Sequence, residues 1–534
     1  MTENIVDVLI IGSGASGAAV AWSLADTRMR IMCMEQGDWM NPSHYPSTRR
    51  DWEVAQKTTF SPSPNVRQRA ADYPINEDES PISVANFNAV GGGTVLYAAH
   101  FPRFHPSDFS VRSLDGVAED WPISYKDLEP FYAMNDRQIG VAGLAGDPAY
   151  PPHYPPVPPV PLGLSGEMVA RGLNKLGWHW WPADSAIITQ DYEGRERCAN
   201  LSTCMSGCAR GSKSSADVTY WPMAKRMRVK LKTQCRVREI TVDKNDRATG
   251  VIYFDENGNE CRQRAEVVIM ACNGVGTPRL LLNSTSSQFP DGLANRSGLV
   301  GKNFMIHPWG SVTGVFNQPL DSQLGPVGCC LWSQEFYETD PERDFVRGYN
   351  LQFTRGSGPI YTALEGLNYR DIPWGQGHHQ AFAKLFGHSV EVSVCCEDLP
   401  EESNTVTLDP ILTDSNAIPA PKITYRISEN TRRMMKHGLE RGAEAMRAAG
   451  AWKVNSEAPV RLAGWHLMGT ARMGYDCAKS VVNEWGRSHD VKNLFIVDGS
   501  VFVTSGGVNP TTTIQAVALY IADQIKQRLA NLFD

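Results

Sequence analysis

Four stretches of this 534-residue chain hold residue types that can do chemistry. The first is Gly12-Ser13-Gly14-Ala15-Ser16-Gly17, with Glu35 and Gln36 beyond it. In such a run Gly12 permits a tight turn, Gly14 lets backbone approach a pyrophosphate, and Gly17 lets a helix pack close to a sheet. The unpaired N–H groups and partial positive charge of a helix N-terminus then face the phosphates. Glu35 can take both ribose hydroxyls of an adenosine. The second stretch is Cys198-x5-Cys204-x3-Cys208, in a polar loop with glycine and serine. Thiols spaced this way are poor core material and good soft-metal ligands. Zinc would want a fourth Cys or His nearby. The third is His466 in Trp465-His466-Leu467-Met468-Gly469-Thr470. An imidazole can move a proton near neutral pH, although a lone histidine on an apolar background more often simply packs. The fourth is Asp498-Gly499 followed by Asn509-Pro510-Thr511. Asp498 ends an apolar strand, as Glu35 does, at the carboxyl edge of a sheet where ligands bind. Asn509-Pro510 reads as a helix start, with Asn as the cap and Pro in the first turn.

The elements that must position these residues follow from hydrophobic patterning. Apolar runs at residues 8–11 and 31–34 flank a helical segment over 18–25, giving strand, glycine turn, helix, strand. Residues 90–97 contain three successive glycines. Backbone at Gly92, Gly93 and Thr94 can lie flat against a planar ligand, or act as a hinge. Residues 150–161 are proline-dense and read as an extended strap. From 229 to 265 the pattern is a β-meander with a turn at Asn257-Gly258, and the run 266–272 reads as a buried parallel strand. Between 315 and 459 the α/β alternation stops. Short strands at 389–395, 405–408 and 422–425, with one long helix from a Ser428 cap to residue 449, predict an antiparallel sheet walling a substrate.

Composition sets the bounds. The chain is 42% hydrophobic and 20% charged, with a net charge of −7. That is an ordinary globular balance with no electrostatic case for nucleic acid. No apolar run approaches the ~20 residues of a membrane helix. The first strand begins near Val6 without room for a signal peptide, so the expected location is cytoplasmic. Export together with an accessory subunit, giving a periplasmic location, is the alternative. Twelve cysteines in so long a chain do not make a disulfide scaffold, and most sit in apolar runs as small hydrophobes.

The motifs together resemble the glucose–methanol–choline (GMC) family of flavin oxidoreductases across nearly the whole chain. The glycine turn, Gly92-Gly93 with Arg103 downstream, Val300-Gly301-Lys302-Asn303 with His307-Pro308, His466-x-x-Gly469-Thr470, and Asp498 with Asn509-Pro510 occur in the family's order. The resemblance implies an α/β fold: a Rossmann-like FAD-binding domain with an interleaved substrate domain built on an antiparallel sheet with helices. The expected division is 1–125, 225–314 and 460–534 for the FAD-binding parts. Residues 126–224 are the connector and cysteine-loop region, and 315–459 the substrate domain. The resemblance also implies FAD, with backbone near Val237 against the adenine. His466 then matches the base that takes a hydroxyl proton, and Asn509 the partner of the substrate oxygen. The positive end of the helix after Pro510 would face the flavin's pyrimidine side. Leu96 stands where some sugar-oxidising relatives carry a flavin-linking histidine, so the FAD is expected to be noncovalent. Tyr97 and Ile306 depart from residues common in the family.

The cysteine loop resembles that of bacterial dehydrogenases in this family, which hold a 3Fe-4S cluster and pass electrons to a cytochrome. Long-chain alcohol oxidases have a related Cys-Gly-rich loop without a proven cluster. The leading expectation is oxidation of an alcohol group of a sugar, glycoside or polyol. Electrons would leave through the cluster or directly to quinone, with a small accessory subunit as a further partner. The alternative is an oxidase or dehydrogenase of an aryl or aliphatic primary alcohol that uses oxygen or quinone directly. A nicotinamide dehydrogenase and a non-catalytic flavin carrier are weaker readings. A serine hydrolase lacks its G-x-S-x-G elbow.

Overall fold

Residues 6–34 fold as their pattern dictates. The strand Val6–Ile11, the helix Ala15–Leu24 and the strand Ile31–Met34 form one unit whose two strands run parallel. They come from a computed structural model that describes residues 5–355 and 358–529. The helix begins at Ala15, three residues before the periodicity suggested, because Gly14 already occupies the cap position.

A seven-stranded sheet grows outward from this unit. Its pivot is the strand Glu260–Met270, which the alternation had divided into two pieces. Its first half pairs antiparallel with Ala248–Phe254, and its second half pairs parallel with Val6–Ile11. The meander is thus Arg236–Val242, Ala248–Phe254 and the start of Glu260–Met270. Lys230–Lys232 lies outside the meander and pairs with Ile31–Met34 instead. Leu494–Ile496 lies parallel to the far half of Glu260–Met270, so Asp498 and Glu35 emerge at the same edge. The C-terminal helix Thr511–Gln527 packs on Ala15–Leu24, where Lys526 donates to the Ser23 carbonyl.

The second sheet has six strands, all antiparallel, in the order Lys453–Glu457, Trp309–Val315, Ser389–Cys396, Tyr349–Thr354, Cys329–Ser333 and Trp181–Pro182. The sequence Ser-Val-Glu-Val-Ser-Val-Cys over 389–395 alternates with period two, so its valines and its polar residues take opposite faces. Val312, Val392, Val394 and Leu351 are fully buried. They lie in one core with Met434, Met435 and Met446 of the helix Glu429–Ala449. Each such side chain contributes roughly 1.5–3 kcal/mol by leaving water. Ser428 caps that helix by accepting the Thr431 N–H at 3.0 Å, and Gly450 ends it in a left-handed turn. The opposite face carries Ser311, Ser393, Gln352 and Glu391.

Two strands expected in this wall lie elsewhere. Thr405–Thr413 and Pro419–Thr424 form a separate three-stranded sheet with Asn76–Glu79. Alternation alone does not say which sheet a strand joins. Residues 150–161 are irregular but for a bridge between Ala142 and Val157. No described helix is long and apolar enough to cross a membrane.

Candidate active site

A cavity of about 710 Å³ runs between the two larger sheets, a size suited to a cofactor or substrate. Val237 and its neighbours Cys235 and Arg236 line it, as do His466 and Asn509. Gly12, Gly14, Ala15 and Ser16 line it too, with Glu35 and Gln36. So do Gly92, Gly93 and Thr94, and Asp498, Gly499 and Thr511. Ser13, Gly17 and Pro510 do not line it; they act from behind. Ser13 donates its N–H and hydroxyl to Glu35 Oε2 at 3.0 and 2.8 Å, while the Gly37 N–H reaches Oε1 at 2.9 Å. These bonds hold the carboxylate at the strand tip against a burial that pushes its pKa up.

The glycines fit a dinucleotide. Gly12 has φ +99°, and a Cβ there would meet the Ala271 carbonyl at 2.4 Å. A Cβ on Gly17 would strike the Gly12 carbonyl at 2.0 Å, so the helix could not sit so near the turn. At Gly93 a Cβ would meet nothing within 4 Å, open space beside backbone that a planar ring can use. Asp498 is fixed by the Thr277 hydroxyl at 2.6 Å and the Ser500 N–H at 2.9 Å. The residues therefore suit FAD, with a phosphate cradle at one end and a flat, backbone-lined slot towards the other.

Around His466 and Asn509 five side chains form one buried chain of hydrogen bonds. His307 Nε2 lies 2.6 Å from the Gly506 carbonyl, which can only accept, so this nitrogen carries the proton. Burial holds His307 neutral, lowering its pKa to about 4. Its Nδ1 is then a bare acceptor, 2.6 Å from His466 Nδ1. His466 must donate there, which leaves its Nε2 as a lone pair. Burial, with His307 and His100 nearby, holds the His466 pKa well below its usual value. The Asn509 amide nitrogen stands 3.4 Å from that lone pair. Asn509 Oδ1 accepts from Gln352 Nε2 at 2.6 Å, and Gln352 Oε1 meets His100 Nδ1 at 2.5 Å. The Trp309 ring lies 5.8 Å from that of His466.

Asn509 is not the helix cap expected of it. The helix starts at Thr511 with Pro510 in the cap position and no side-chain cap bond. The Asn509 amide is instead committed to Gln352 and His466. His307, Cys395 and His466 bring donor atoms within 4.8 Å of one another, a grouping with metal-ligand chemistry. Two imidazole nitrogens on one tetrahedral zinc stand about 3.3 Å apart, however. The 2.6 Å spacing here is that of a hydrogen bond.

The cysteine loop abuts the same cavity, which Ser202 and Met205 help to line. Backbone N–H groups of Asn200 and Lys213 lie 3.4 and 3.5 Å from the Cys198 and Cys208 sulfurs, and that of Val327 meets Cys204. The Lys213 ammonium, its pKa lowered to about 8 by burial, donates to the carbonyls of Val95, Tyr97 and Cys204 at 2.6, 3.1 and 2.7 Å. It ties the segment after the glycine run to the cysteine loop. The three thiols are not among the described donor groups that converge within 4.8 Å. A single zinc would draw its sulfurs to about 3.8 Å from one another. A cluster sets its cysteines on different irons, and N–H groups directed at sulfur are among the features that tune one.

The resemblance points to His466 and Asn509 and includes His307 in its His307-Pro308 motif without a role, and it singles out neither Gln352 nor His100. For Gln352 the available signal is the polar alternation of Asn350, Gln352 and Thr354.

Two family models described as GMC oxidoreductase match residues 6–309 and 400–518. A 2-methyl-1,2-propanediol dehydrogenase of Mycolicibacterium austroafricanum is 41% identical, covering 99% of this chain and 96% of that protein. The fructose dehydrogenase large subunit of Gluconobacter japonicus is 28% identical, covering 97% of each. The crystal structure of a pyridoxine 4-oxidase from Mesorbium loti shares the fold, with a TM-score of 0.67 at 16% identity, covering 98% of this chain and 99% of that one.

Proposed function

Since the chain belongs to the GMC oxidoreductase family of flavoproteins, we propose that it oxidises one alcohol group of a small polyol or sugar to a carbonyl, with His466 as base and Asn509 as partner of the reacting oxygen. The observation that carries this is the direction of the histidine pair. With Nδ1–H donated to His307, His466 can only accept at Nε2, beside the Asn509 amide. FAD, when bound, supplies the two-electron acceptor for the carbon-bound hydride.

The chain's own residues manage the proton and the charge. An alcohol is a very weak acid, so its proton must pass to a base as negative charge builds on oxygen. Neutral His466 takes it at Nε2, and the positive charge that results is shared with His307 through the Nδ1 bond. The Asn509 N–H groups can donate to the alcohol oxygen without competing for its proton. Ser311, Ser393 and Glu391 on the cavity side of the six-stranded sheet favour a substrate with more than one hydroxyl, as does the likeness to a diol dehydrogenase.

The test is anaerobic reduction of the bound flavin by 2-methyl-1,2-propanediol, D-fructose and 1-octanol. A hydroxyl-rich donor should bleach the flavin, and His466→Ala should slow bleaching about 100-fold or more. Undiminished bleaching in the variant would remove His466 from the reaction. A preference for 1-octanol would select the aliphatic alternative.

For the route out, the observation favouring a 3Fe-4S cluster on Cys198, Cys204 and Cys208 is the loop's place at the cavity wall, with backbone N–H groups at its sulfurs. Electrons would pass from there to a cytochrome or quinone, with an accessory subunit as a further partner; without a cluster, quinone or oxygen is reduced directly. About three irons with matching sulfide per chain, in protein purified anaerobically, would support the cluster. Flavin absorbance alone, with fast peroxide formation, would support oxygen.

A further inference from the structure

We propose that Gln352 is a positioning residue that sets which end of the Asn509 amide faces the base. This rests on the assignment of His466 and Asn509 as the catalytic pair.

An asparagine amide is nearly symmetric in shape and opposite in polarity at its two ends. With Nδ2 toward His466, Asn509 offers donors to the alcohol oxygen. Turned over, it would set a carbonyl oxygen against the His466 lone pair and against developing negative charge. Nothing in Asn509 itself chooses between these. The choice lies at Oδ1, which accepts from Gln352 Nε2 at 2.6 Å. Gln352 is itself an amide and needs orienting. His100 Nδ1 is 2.5 Å from its Oε1, and that oxygen can only accept, so His100 carries the proton there. His100 also hydrogen-bonds Asn509.

The polarity therefore runs in one direction, from His100 N–H to Gln352, and from Gln352 N–H to Asn509. Gln352 is fully buried and sits in the middle strand pairings of the wall sheet, opposite Ser393 on one side and Trp332 on the other. The titratable groups around this chain are His100, His307, His466 and Cys395, and burial keeps all four neutral. None of these four groups carries a charge that would compete with the amide dipoles for control of the orientation.

The test uses the flavin-loaded enzyme with the best donor of the panel above and a dye acceptor. Gln352→Leu removes the donor and should lower kcat about tenfold with little change in KM, a factor within the range of one lost hydrogen bond. Placed in an Asn509→Ala background it should cost almost nothing more, because its effect travels through the missing amide. Gln352→Glu keeps the shape. Ionised, it can only accept, which favours the overturned amide; protonated, it donates to Oδ1 again. Its kcat relative to wild type should therefore rise as pH falls, while that of Gln352→Leu stays flat.

A KM-only effect, full additivity with Asn509→Ala, or a pH-independent ratio for Gln352→Glu would each overturn the positioning role. His466→Ala and Asn509→Ala are measured alongside. Wild-type turnover in both would overturn the catalytic pair itself, and Gln352's role with it. Loss in both with unchanged kcat in Gln352→Leu would overturn only the role of Gln352.

Discussion

With its Nε2 proton committed to the Gly506 carbonyl, His307 can only accept from His466, so one backbone oxygen fixes the protonation of two imidazoles. Asn509 is then a donor toward the exposed lone pair only because its oxygen is already occupied. Because burial, chiefly, lowers the His466 pKa well below 6.5, the base stays unprotonated through neutral pH. Turnover should be flat from pH 6.5 upward on its acid side, with the falling limb well below that. Replacing His307 with Ala opens the site to water and removes the acceptor. The His466 pKa should climb toward its ordinary value, moving the limb to higher pH. Loss of the fixed tautomer should lower kcat about 100-fold. A pH–rate profile of the two proteins checks both effects.

At the scale of elements, the turn at residues 505–507 aims that carbonyl, and it is held from two sides. Ser505 Oγ accepts the Asp398 N–H and donates to the Asp398 carbonyl, at 2.9 and 2.8 Å. Tyr337 accepts the Gly507 N–H at 2.9 Å and donates to Asp108 at 2.8 Å, and Asp108 pairs with buried Arg347. Tyr337→Phe leaves the Gly507 N–H unsatisfied and takes one of two donors from Asp108 Oδ2, which keeps the His105 N–H. It should cost about 1–3 kcal/mol of stability and reduce kcat severalfold with an unchanged KM, read by thermal melts beside kinetics. The sequence disclosed elements of this kind unevenly. The glycine run, Glu35 and Asp498 are readable from the strand and turn pattern beside them, whereas His466 stands out only through the order of the family's motifs. Gln352 meets Asn509 across 157 residues and His100 across 252, and no local pattern encodes such meetings. The strand Pro419–Thr424 had the right alternation and was still referred to the wrong sheet. The cap at Asn509 was read correctly as a residue type and wrongly as a use, since Gln352 and His466 take its amide.

On the scale of the whole molecule, the cavity separates two hydrophobic cores, one around the seven-stranded sheet and one under the helix Glu429–Ala449. A ligand filling it touches both. Stripping FAD should therefore lower the melting temperature, and restoring it at a hundred times its Kd should return about 2.7 kcal/mol, seen as a concentration-dependent melt. Unchanged melting on removal would mean that the cores hold together without the cofactor. The six-stranded wall has an additional consequence. Its valine face and its cavity face belong to the same strands yet answer to different demands. Ser311, Ser393 and Glu391 point away from the packing of Val312, Val392 and Val394, so a change of side chain at the first set is directed into the cavity and not into the core. One face can drift with whatever metabolite a lineage meets, while its reverse keeps the protein folded.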